Sequence, residues 1–88
     1  MTPESLSALH ARINTAHLRY GPLASTHEAL GVALEEWDEL REQIRANNIV
    51  AIRNEALDLA AVLIRLSYQC EQAHESEFAT GFYMRSMK

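Results

Sequence analysis

The sequence predicts an all-α fold: an antiparallel helical bundle of three long helices plus a short C-terminal helix or tail, completed by oligomerisation. Three observations carry that expectation. Apolar residues recur at spacings of three and four along successive stretches. Glycine (three) and proline (two) are scarce, and both prolines sit at element boundaries. No stretch alternates apolar and polar residues in the manner of a half-buried strand.

The first helix starts at Thr2-Pro3-Glu4, a capping hydroxyl followed by a proline at the first helical position and an acid near the positive end of the dipole. Leu6, Leu9, Ile13, Ala16 and Tyr20 then share one face, and Gly21-Pro22 ends the helix. Ser25-Thr26-His27-Glu28 reads as a capping box, with Ser25 as N-cap and Glu28 reaching back to it. The second helix carries Leu30, Leu34, Trp37, Leu40 and Ile44 on one side and should run to about Ala46, where Asn47-Asn48 interrupts.

The third helix begins near Ile49 and continues into the low seventies. Its middle, Ala56 to Leu66, is apolar almost all round, interrupted only by Asp58 and Arg65. Such a helix is buried on several sides. Two other helices from one small chain hardly cover it, so a second copy is expected to do so, as a homodimer or a homotetramer built as a dimer of dimers. Beyond Glu77, Phe78, Phe82, Tyr83 and Met84 suggest a short helix or a tail docked on a partner subunit, with Gly81 between them.

Eighty-eight residues make a single domain, 1–88, with a thin core. An apolar fraction of 48% excludes disorder, and no apolar run reaches the roughly 18 residues needed to span a membrane. The N-terminus lacks a signal-peptide apolar region, so the cytoplasm is the expected address. A lone cysteine, Cys70, excludes an internal disulfide framework and a cysteine zinc cluster, and reads as a packing residue. A net charge of −4 argues against nucleic acid as partner. His10, His17, His27 and His74 form no set. Glu71-x-x-His74 is half of a di-iron motif, and one such match arises readily by chance.

The chemistry lies in Glu35-Glu36-Trp37-Asp38-Glu39 and in Glu55-Ala56-Leu57-Asp58. Each segment places two carboxylates at i, i+3 on one helix face. The helical neighbours of Glu36 are Val32, Ala33, Glu39 and Leu40; those of Asp58 are Asn54, Glu55, Ala61 and Val62. A solvated acidic face is not built this way, and charge at the margin of a buried surface is costly. Glu36 and Glu39 lie about ten residues before the Asn47-Asn48 turn, and Glu55 and Asp58 about nine after it, so the pairs come level when the helices fold back. Two like charges about 5 Å apart repel by roughly 3 kcal/mol at an effective dielectric near 20. Four converging carboxylates therefore require either protonation or a cation. An all-oxygen set suits Mg²⁺, Mn²⁺ or Ca²⁺, and Mg²⁺ keeps positions open for water and substrate phosphates.

Glu-Glu-x-x-Glu on one helix and Glu-x-x-Asp on the next resembles the signature of the all-α nucleoside triphosphate pyrophosphohydrolases, which include the MazG-type enzymes and the dimeric dUTPases. The stretch from Thr26 to Leu66 looks like a MazG-like core, about half the chain. The resemblance implies a single MazG-like helical domain, oligomerisation, and Mg²⁺-dependent cleavage of a nucleoside triphosphate, noncanonical and deoxy forms included, to monophosphate and pyrophosphate. On the family pattern Glu36, Glu39, Glu55 and Asp58 match the metal ligands, and Glu35 matches the leading acid.

In that mechanism Glu35 or Glu39 orients the attacking water or accepts its proton. Arg53, Arg65, Arg85 and Lys88 are the candidates for phosphate. Trp37 is a candidate for the base, although its place at the centre of the apolar stripe reads first as a core anchor. Arg65 serves equally well as a structural ion pair. The alternative from another class is a non-catalytic helical interaction module with a degenerate acidic cluster. Acids turned inward favour the enzyme, and acids splayed to solvent favour the module.

Overall fold

The computed structural model describes residues 2–75, all within three helices and their connections: α1 (Pro3–Tyr20), α2 (Thr26–Ala46) and α3 (Ile49–Glu75). No strand occurs among the described residues. The expected C-terminal helix or tail, with Phe78, Phe82, Tyr83 and Met84, lies outside them.

Local chemistry sets the boundaries from Thr2 to Asn48. Thr2 caps α1, its Oγ1 accepting the Ser5 N–H at 3.1 Å. Gly21 closes that helix with φ 71° while donating its N–H to the His17 carbonyl at 2.9 Å. A positive φ there suits glycine, and Pro22 bars continuation. Ser25 caps α2 through the Glu28 N–H at 3.1 Å. The Glu28 carboxylate reaches one residue further back than a capping box requires and accepts the Ala24 N–H.

The two asparagines divide the work of the next turn. Asn47 adopts the left-handed conformation (φ 57°, ψ 37°) and donates to the Ile44 carbonyl at 3.0 Å, while the Asn48 N–H reaches the Gln43 carbonyl at 3.2 Å. This is a Schellman ending with asparagine in glycine's usual place. Asn48 then caps α3, its Oδ1 accepting the Ala51 N–H at 3.1 Å.

α3 is the central element. It packs against both α1 and α2, which do not approach each other. The pairings Arg12–Asp58, Gly21–Arg65 and Leu23–Gln69 advance together along both segments, so α1 runs parallel to α3 and α2 antiparallel to it. The core is small: Leu23, Ala29 and Ala73 cluster at one end with Leu66 and Cys70 packed on them, and Ala61 and Val62 are buried further along α3. Cys70 packs as the sequence predicts. No large side chain is fully buried among the described residues, and α1 buries none at all.

The apolar stripe of α2 does not face this core. Leu30, Leu34, Trp37 and Ile44 are exposed, Trp37 at 46%. The face turned inward instead carries Ala29, Val32, Ala33, Glu36, Leu40 and Gln43. Alanine lets backbones approach closely, and the larger residues of the stripe find no cover among the described residues. Leu63 and Ile64 on α3 are likewise half exposed. No described helix is long and apolar enough to cross a membrane.

Candidate functional site

The turn at Asn47-Asn48 sets the register of α2 against α3, and the register brings three carboxylates together. Glu36 and Glu39 on α2 and Glu55 on α3 each offer an oxygen, and these three atoms lie within 4.8 Å of one another. Glu36 belongs to the inward face of α2. Its Oε2 is buried and has no hydrogen-bond partner among the described residues. Glu39 is exposed and Glu55 half-buried, so the cluster opens to solvent on one side.

The electrostatics follow from that placement. Burial pushes the Glu36 carboxyl up to about 7, helped by the negative charges of Glu39, Asp58, Glu55 and Glu35. Glu55 is raised as well, first by desolvation and then by Glu39 and Asp58, with Arg12 acting in the opposite direction.

Asp58 departs from the fourfold convergence expected from the motif spacing. It lies close enough to act on Glu36 and Glu55, but its Oδ1 is taken by Arg12 of α1, whose Nε donates to it at 2.8 Å. The same guanidinium donates through Nη2 to Asn54 Oδ1 at 3.2 Å, and Arg53 reaches that oxygen at 3.4 Å. Three acids converge and the fourth is neutralised from the neighbouring helix.

Arg12 is the residue that sequence reasoning missed. It sits beside the apolar face of α1 among Ala8, Ala11 and Ala16. An arginine surrounded by small residues at the edge of a buried face is the one signal that marks it.

Because α1 and α2 do not meet, a groove of about 840 Å³ lies between them over α3. Glu35, Glu36, Asp58 and Arg12 line it at the carboxylate level. Arg19, Tyr20, Arg65 and Glu28 line it about two turns away. Arg65 is partly committed, donating to the Gly21 carbonyl at 2.8 Å. Of the other residues singled out from sequence, Glu39, Glu55, Arg53 and Trp37 are not part of the groove lining, so Glu36 alone joins the carboxylate cluster to the groove, while Arg85 and Lys88 lie outside the described residues.

The donor set fits a hard divalent cation. It is all oxygen and negatively charged, and it holds a buried lone pair with nothing donating to it. No family model, curated protein or solved structure matches the chain, so the chemistry of these residues carries the reading.

Proposed function

We propose that this chain is an Mg²⁺-dependent nucleotide pyrophosphohydrolase that cleaves a nucleoside triphosphate, noncanonical and deoxy forms included, to monophosphate and pyrophosphate. The observation that carries the reading is the convergence of Glu36, Glu39 and Glu55, one of which, Glu36, also holds a buried Oε2 with no hydrogen-bond partner among the described residues. An ionised carboxylate left with an orphaned buried acceptor is costly unless a proton or a cation meets it, and a divalent cation can answer all three carboxylates at once. The resemblance of the two acidic motifs to the MazG-like enzymes supports the choice of substrate.

Glu36, Glu39 and Glu55 would hold the metal, with Asp58 beside them. A bound Mg²⁺ supplies charge neutralisation for the triphosphate and makes a coordinated water more acidic. Glu35, exposed on the groove wall, orients that water or takes its proton, a role Glu39 shares. Arg19 and Arg65 present guanidinium donors along the same groove, where phosphate oxygens need them. The uncovered stripe of Leu30, Leu34, Trp37 and Ile44 supports assembly into a homodimer or homotetramer, with Trp37 as an interface anchor rather than a base-stacking residue. A cytoplasmic location suits a nucleotide substrate.

One observation favours a second reading, a non-catalytic helical interaction module: the chain already neutralises one of its four acids with Arg12. Hydrolysis of a nucleotide panel in Mg²⁺ separates the two. The enzyme reading expects turnover with pyrophosphate release, and Glu36→Ala, Glu39→Ala and Glu55→Ala each to lower it by on the order of 100-fold, the scale of losing one electrostatic stabiliser. Activity that survives all three substitutions, or no activity on any nucleotide, removes this reading.

A further inference from the structure

We infer that Arg12 is the built-in counter-cation of the carboxylate cluster, and that a divalent ion and Arg12 compete for Asp58. The inference rests on the reading of Glu36, Glu39 and Glu55 as a metal site.

Asp58 lies one helical turn beyond Glu55, on the same face of α3 and within electrostatic reach of Glu36, yet its oxygens are not among those that converge. Its Oδ1 instead accepts from the guanidinium of Arg12. The fork spans one turn of α3, Nε on Asp58 at 2.8 Å and Nη2 on Asn54 at 3.2 Å. Among the described residues this is the one salt bridge of the molecule, and it brings a positive charge to the level where negative charge is most crowded. Both side chains remain partly open to water, 29% exposed for Arg12 and 42% for Asp58. A pair in that condition exchanges partners easily, because solvent compensates each ion when the other leaves.

A cation at Glu36, Glu39 and Glu55 changes the balance from both sides. It attracts the carboxylate of Asp58 as an additional oxygen ligand and repels the guanidinium that holds it. The consequence reaches α1, which buries no residue of its own and which this clamp ties to α3 at mid-length. Loading the cluster and loosening α1 are therefore one event. Arg12, still on the groove wall, is then free of its carboxylate.

Calorimetric titration of the full chain with Mg²⁺, and in parallel with Mn²⁺, tests this. Arg12→Gln should bind either ion about five-fold more tightly than the wild type, since a partly exposed ion pair no longer opposes binding. Arg12→Lys, which keeps the charge without the fork, should fall between them. Unchanged or weaker binding by a helical Arg12→Gln chain overturns the inference while leaving the metal site standing. Absence of binding in wild type and variants alike overturns the metal site and the inference with it. Should circular dichroism show that the variants lose helix, the wild type decides. The Arg12 Nε–H, held by Asp58 in the metal-free chain, should exchange with solvent faster at saturating Mg²⁺, and an unaltered rate overturns the competition.

Discussion

The two levels of α3 treat polar groups in opposite ways. At the Leu23 level polar groups are paired. The Gln69 side chain accepts the Leu23 N–H at 2.6 Å and donates to the Leu23 carbonyl at 3.0 Å, and Arg65 secures the Gly21 carbonyl beside it. Small residues fill the space around that clamp, with Ala29 at 0% exposure and Ala73 at 2%. At the Glu36 level demand is left open: like charges converge and a buried oxygen goes without a donor. One end of the helix holds the loop and the fold, while the other stores electrostatic strain among its carboxylates. A protein with a core this thin has little stability to spare, which makes the unrelieved cluster the more telling of the two.

The largest effect expected on stability belongs to the satisfied level. Gln69→Ala removes both partners of Leu23 and leaves a partly buried backbone N–H and C=O unpaired. The expected cost is about 2 kcal/mol, or roughly 10 °C in Tm for a domain of this size. Thermal unfolding checks the magnitude. Below the new transition the Mg²⁺-induced rise in Tm should persist, because the carboxylates lie several turns away. Loss of that rise in a folded Gln69→Ala chain would break the division between the two levels.

The strained level should respond in the opposite direction. The Glu36 carboxyl is raised from 4.5 to about 7, so between those values the folded chain binds a proton that the unfolded chain has released. Below about pH 4.5 both states are protonated and the group costs nothing. As pH rises from about 4.5 to 7 the unfolded chain gains by ionising this carboxyl while the folded chain, with Glu39, Asp58, Glu55 and Glu35 around it, keeps the proton, so stability falls across that window and the loss is complete above it. Arg12, bound to Asp58, offsets only part of that crowding. Glu36→Gln should therefore raise Tm by several degrees at pH 8 in the absence of metal, leave it nearly unchanged at pH 4, and abolish the gain from Mg²⁺. Tm measured across pH with and without metal tests all three. A metal-free Glu36→Gln chain less stable than wild type at pH 8 would mean that Glu36 is not strained.

How much of this was legible in the sequence depends on the range of the chemistry. Thr2, Gly21, Ser25, Asn47 and Asn48 each act on groups within a few residues, so the three helices and their limits could be read directly. The approach of Glu36 and Glu39 to Glu55 was legible because one tight turn separates them and helical rise converts residue counts into height. The Arg12–Asp58 pair was not, because it spans 46 residues and depends on how α1 settles on α3. The stripe of Leu30, Leu34, Trp37, Leu40 and Ile44 was the strongest apolar pattern in α2, and of its members only Leu40 turns to the inward face. Pattern strength reports what needs covering, not whether the same chain covers it, and here close approach through Ala29 and Ala33 decided the orientation.

The smallest effect sharpens the comparison at the edge of the satisfied level. Ser25 supplies the first turn of α2 with an acceptor, its Oγ taking the Glu28 N–H at 3.1 Å. Glu28 in turn accepts the Ala24 N–H, so the connection leaving Leu23 is held from both sides of the cap. Ser25→Ala should cost about 1 kcal/mol, the usual value of an N-cap, and lower Tm by a few degrees. Hydrogen exchange locates the loss: faster opening is expected in the first turn of α2 and around Ala29, and none near Glu36, Glu39 and Glu55. The cap substitution changes no charge and lies two to three helical turns from Glu36, so metal affinity should match the wild type. A Ser25→Ala chain whose Mg²⁺ affinity falls together with its Tm would show that the packed end sets the carboxylate geometry, and that the two levels of α3 act as one unit.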